Sequence, residues 1–83
     1  MTPDVIQVRT FPGYILVAQF ATGEWRRFDM RGLLHYPAFA ALRDEALFRC
    51  AHVRNGAVTW TDEIDLSPDT LYLRGDAVEE VEP

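Results

Sequence analysis

Cys50 and His52 stand two residues apart in a stretch that reads as a strand, so their side chains share one face. An imidazole beside a thiol is the pairing that makes a thiolate nucleophile. The ordinary reading is a small thiol next to a surface histidine, and the sequence names neither an oxyanion donor nor a third group to orient the ring. Asp62, Glu63, Asp65 and Asp69 form the one acidic cluster inside the domain, and four carboxylates near a turn could hold a hard cation or serve as an acid-base pair. Each also has a local duty: Asp62 and Glu63 suit a turn, Asp65 precedes a helix cap at Ser67, and Asp69 complements a helix N-terminus. Arg26, Arg27 and Arg31 crowd beside Trp25 and Phe28, a mixture that binds phosphate or stacks a base. Glu24 and Asp29 flank and neutralise them, which favours a salt-bridged strand face over nucleic-acid contact.

Nothing stronger stands behind these groups. His35 and His52 lie on different elements without ligand spacing, and there is no Cys-x-x-Cys, His-Glu-x-x-His, calcium-loop or glycine-rich phosphate motif. The expectation is therefore a chain without catalytic residues, metal or cofactor. Its 83 residues make one domain, and 48% hydrophobic with 12% aromatic residues is too apolar for disorder. The net charge of −5 is mostly that of the last eight residues, where Asp76, Glu79, Glu80 and Glu82 have no base beside them. Without them the domain is almost neutral, against the basic excess that nucleic-acid binders show. A lone Cys50 excludes an internal disulfide and suits a reducing compartment, and no leader or membrane-spanning run is visible, so the expected location is the cytoplasm.

The elements that must position these residues follow from pattern and punctuation. Strands are expected at 4–10, 14–20 and 24–28 as an antiparallel meander, with turns at Pro12-Gly13 and Thr22-Gly23. Asp29 caps a helical stretch over 30–43, weakened by Gly32 and restarted by Pro37. Asn55-Gly56 is a strong signal for a type I′ hairpin between strands at 49–54 and 57–60. Ser67-Pro68-Asp69 opens a last helix over 68–74, with Gly75 as its stop. The sum is a single α+β domain over residues 1–75 with order β-β-β-α-β-β-α, followed by a solvated acidic tail, 76–83. Its expected core is Val8, Leu16, Phe20, Phe28, Leu34, Phe39, Leu42, Phe48, Val53, Trp60, Leu66 and Leu71.

One strand breaks the alternation. Tyr14, Leu16, Ala18 and Phe20 point one way and Ile15, Val17 and Gln19 the other, so apolar residues occupy both faces. Something must cover Ile15 and Val17: a helix of the chain, a symmetric copy or a protein partner.

Leu16, Val17 and Phe20, then Gly23, Phe28-Asp29 and Leu33, and further on Phe48, Val53, Trp60, Asp65-Leu66-Ser67-Pro68 and Leu71-Tyr72 resemble the small bacterial proteins catalogued as DUF2442, a domain of unknown function. The resemblance covers nearly the whole chain and is most specific from Trp60 to Tyr72. It implies a compact α+β domain and no activity. Some members of that family continue into a helix-turn-helix, and many stand beside another small protein in an arrangement suggestive of toxin and antitoxin pairs. Nothing after Tyr72 is long enough for a DNA-reading module. The expected function is thus that of a non-enzymatic cytoplasmic accessory or antitoxin-like protein that covers a small partner protein or pairs as a homodimer, with Ile15, Val17, Arg26, Arg27 and Arg31 as its possible partner surface. The alternative is a small transcription-associated domain touching nucleic acid through those three arginines, and an enzyme using Cys50 and His52 comes third.

Overall fold

The computed structural model describes residues 1–79 and 81. Its first sheet is the expected meander, β1 (Val5–Phe11), β2 (Ile15–Phe20) and β3 (Trp25–Asp29), each strand antiparallel to the next. The turn between β1 and β2 holds Gly13 at φ 84° and Tyr14 at φ 64°, so Tyr14 belongs to the turn rather than to the strand. Its hydroxyl donates to the carbonyl oxygen of Arg43, tying the meander to the helical connection.

That connection differs from a single helix over 30–43. Met30–Leu33 and Pro37–Arg43 are two 3-10 helices, followed by one α turn, α1 (Glu45–Phe48). The break has a physical cause: a residue preceding proline is pushed out of the helical region, and Tyr36 sits extended at ψ 139°. Asp29 caps the first turn as expected, accepting a hydrogen bond from the Arg31 amide at 2.9 Å, and Asp44 does the same for α1 through the Ala46 amide at 3.0 Å.

The second sheet contains β4 (His52–Arg54), β5 (Ala57–Thr61) and β6 (Ile64–Leu66). Asn55 at φ 53° and Gly56 at φ 78° make the hairpin turn expected of them. Residues 49–51 are not strand, and β6 was not expected. Val5 of β1 donates its amide to the Gly56 carbonyl at 2.9 Å, which joins the two sheets at a corner.

α2 (Pro68–Arg74) is capped by Ser67, whose hydroxyl accepts from the Asp69 amide at 3.1 Å. Directly after it, β7 (Asp76–Val78) pairs antiparallel with β3, completing a sheet of order β1-β2-β3-β7. The start of the acidic tail is therefore a strand of the domain rather than a solvated extension. Glu79 and Val81 are exposed, and Glu80, Glu82 and Pro83 lie outside the described residues.

One core fills the space between the sheets and the helical segments. Leu16, Phe20, Phe28, Leu42, Phe48, Trp60, Leu66 and Leu71 are buried in it as expected, while Val8, Leu34, Phe39 and Val53 pack against it half-buried. Val5, Met30, Leu33 and Val58 join it unannounced. The α+β class holds, with two more strands than the pattern disclosed.

Candidate functional site

Cys50 and His52 are not a dyad. Cys50 lies in the turn after α1, and its thiol donates to the Ala46 carbonyl at 3.4 Å. His52 Nδ1 sits 3.1 Å from the backbone carbonyl oxygen of Cys50, so the ring nitrogen nearest the cysteine is directed at its main chain and not at its sulfur. The expected shared strand face does not exist, because β4 begins only at His52.

The three arginines are likewise separated. In the register of the sheet Arg26 lies opposite Ala18 and Ala77, on the core side, whereas Arg27 lies opposite Val17 and Asp76, on the outer side. Arg26 is a structural clamp: it pairs with Glu24 at 2.6 Å, donates to the Gly75 carbonyl at 3.4 Å and stands 4.5 Å above the Tyr72 ring, so it holds α2 against β3. Arg31 is engaged by both carboxylate oxygens of Asp29, with Nη2 at 2.7 Å from Oδ2. That pairing holds the Asp29 carboxyl below the usual carboxylate range, despite partial desolvation that pushes the other way. An arginine cluster facing one ligand is not what the strand presents.

The acidic residues also disperse. Asp62 pairs with Arg54, Asp65 faces Thr59 across β5 and β6, and Asp69 occupies the first turn of α2. Asp62, Asp65, Arg54, Thr59 and Thr61 line an open groove of about 320 Å³ on the outer side of the second sheet. Several of its polar groups are engaged locally: Arg54 with Asp62, the Thr59 hydroxyl donating to the Ala57 carbonyl and the Thr61 hydroxyl accepting from the Glu63 amide. Among the described residues no three His, Cys, Asp or Glu side chains gather as a metal site would require.

The surface with the clearest organisation is the outer face of the first sheet. Cross-strand partners point to the same side, so three rows can be read from the register. The middle row is Arg9, Val17, Arg27 and Asp76; one flanking row is Gln7, Gln19, Trp25 and Val78; the other is Phe11, Ile15 and Asp29. Val17 is 0% exposed and Ile15 6%, yet neither belongs to the contiguous core. Both stand on the side of β2 opposite Leu16, Ala18 and Phe20, where Arg9 and Arg27 on the adjacent strands lie level with Val17. No helix is needed for their burial: Met30, Leu33, Leu42, Phe48 and Leu71, the buried residues of the helical segments, all enter the core on the other face. Ile15 and Val17 are thus already covered in the single chain, a correction to their expected place on an open partner surface. What that face presents is the ring around them, Arg9, Phe11, Trp25, Arg27 and Val78. Trp25 and Arg27 could have been assigned to it from the sequence, because alternation from buried Phe28 puts both on the opposite side.

A family model described as protein of unknown function (DUF2442) matches residues 5–77, and the chain belongs to that family. No curated protein and no solved structure matches it. Among the described residues no helix is long and apolar enough to cross a membrane.

Proposed function

We propose that this chain is a non-enzymatic, antitoxin-like accessory protein of the cytoplasm, which acts by covering a protein partner with the outer face of its first sheet. The observation that carries this reading is that Val17 and Ile15 are buried within the single chain while Phe11 and Trp25 stand half-buried on the same face as Arg9 and Arg27. Aromatic and arginine side chains on a flat sheet are the residues that anchor protein interfaces, because each offers a large contact area together with a polar end. The family's setting beside a second small protein supports the same reading. The dispersal of Arg26, Arg27 and Arg31 over two faces removes the motive for the nucleic-acid alternative.

Recovery of the tagged full chain from its own cells, followed by mass spectrometry and quantitation, tests the proposal. A partner near equal stoichiometry that is lost with Trp25→Glu supports it. A chain recovered alone at native expression, or a partner retained equally by Trp25→Glu, overturns it.

A further inference from the structure

The charges on the outer face of the first sheet are arranged so that the face complements itself. Arg9 sits on β1 at one edge of the middle row and Asp76 on β7 at the other, and both are exposed. Among the described residues neither makes an ion pair within the chain, although Asp76 stands across from Arg27. A closed twofold interface brings the same patch together from both sides, so its symmetry axis must lie in the plane of the face. Two orientations of that axis preserve the strand direction of packed sheets. If the axis ran across the strands, Arg9 would stack on its own counterpart, and like charges at contact distance are repulsive. If it runs along the strands between β2 and β3, the order β1-β2-β3-β7 is overlaid on its reverse. Arg9 then faces Asp76 of the second copy, twice by symmetry. In the same overlay Val17 meets the stem of Arg27, and Gln19 meets Trp25. Asp29, the remaining acid of the face, is already neutralised by Arg31.

We infer that the outer face of the first sheet binds a second copy of this chain, with the twofold axis along the strands and reciprocal Arg9 to Asp76 pairs at its edges. This rests on the interaction reading above and extends it: the face that covers a partner protein pairs with a second copy of the chain when that partner is absent. The patch is only four short strands wide, the size of a weak or transient association rather than an obligate one. It also makes β7 part of the association surface, because Asp76 is delivered to the edge by that strand.

Sedimentation equilibrium of the full chain between about 1 and 200 µM tests this, with Arg9→Asp, Asp76→Arg and the double exchange as variants. The expected result is a wild-type dimer that each single reversal weakens by about tenfold or more, and that the double exchange restores to within about threefold. Restoration by the double exchange cannot come from a misfolded chain, which guards against damage to β7. A wild-type monomer throughout, a dimer indifferent to both reversals, or a double exchange without rescue overturns the inference. The interaction reading fails separately, when no different protein is recovered or when one is retained equally by Trp25→Glu.

Discussion

The indole Nε1 of Trp60 donates to the backbone carbonyl oxygen of Phe48 at 2.9 Å, and the two rings stack with centroids 6.2 Å apart. One side chain of β5 thereby closes the end of α1, where Cys50 and Ala51 begin the approach to β4. Trp60 is 4% exposed and Phe48 fully buried, so the carbonyl has no ready access to water.

Trp60→Phe keeps most of the apolar contact and deletes the donor. The Phe48 carbonyl keeps the bond it accepts from the Ala51 amide at 3.3 Å, so the loss is that of one of two hydrogen bonds, about 0.5–1.5 kcal/mol, and the missing indole volume adds to it. The expected loss is about 1–3 kcal/mol in a urea titration, large for so small a domain. A shift below about 0.5 kcal/mol would show that the hydrogen bond carries no net stability.

Gly75→Ala is expected to detach β7. A Cβ at this position would lie 2.4 Å from the Leu71 carbonyl oxygen and 3.1 Å from that of Arg27, and backbone on both sides leaves nothing flexible to give way. The Gly75 amide also closes α2 by donating to the Leu71 carbonyl at 2.9 Å. Hydrogen exchange should rise at the β7 amides while β1 and β2 stay protected, and the cost should be about 2 kcal/mol. Unchanged protection in β7 would mean that the helix end absorbs the added methyl.

Features written in strong local chemistry were legible in the sequence. Asn55-Gly56, the Ser67-Pro68 helix start and the meander each carry a turn or cap whose residues have few other uses, and the structure has all of them. β6 and β7 were not legible, because three residues are too few to display alternation and Asp76 opens an acid-rich stretch that reads as solvated. Their pairing is supplied by neighbours, β5 and β3, and not by their own sequence. The site suffered from the same locality. Arg26 and Arg27 are adjacent in sequence and opposite in space, and only the parity fixed by Phe28 tells which belongs to the outer face.

Cys50 should react with thiol reagents independently of His52. The thiol is exposed and its hydrogen points to the Ala46 carbonyl, whereas the His52 ring meets only the Cys50 backbone. Labelling of the folded protein with a disulfide reagent is expected to change by less than about twofold on His52→Ala, because an activating imidazole must reach the sulfur. A tenfold slowing would restore the dyad that the geometry denies.

Asp29 makes a small, signed contribution to acid stability. Its carboxyl is held below the ordinary range first by the side-chain hydrogen bonds of Arg31, then by the Arg31 amide and the charges of Arg31 and Arg27, against partial desolvation. Between the depressed folded value and the ordinary unfolded one, the unfolded chain binds more protons, so stability rises with pH across that window. The contribution is fully present above the unfolded value of about 3.9 and is lost as pH falls through the folded one. The Arg31 side chain is 69% exposed and the Asp29 side chain 34%, so solvent screening keeps the gain small. Asp29→Asn keeps an oxygen to cap the Arg31 amide and removes the charge. Thermal melts below about 50 mM salt, where the pair is least screened, should therefore show the variant less stable than the wild type at neutral pH, with the gap narrowing as pH falls below the unfolded value. A gap that does not change with pH would leave the ion pair without energetic consequence.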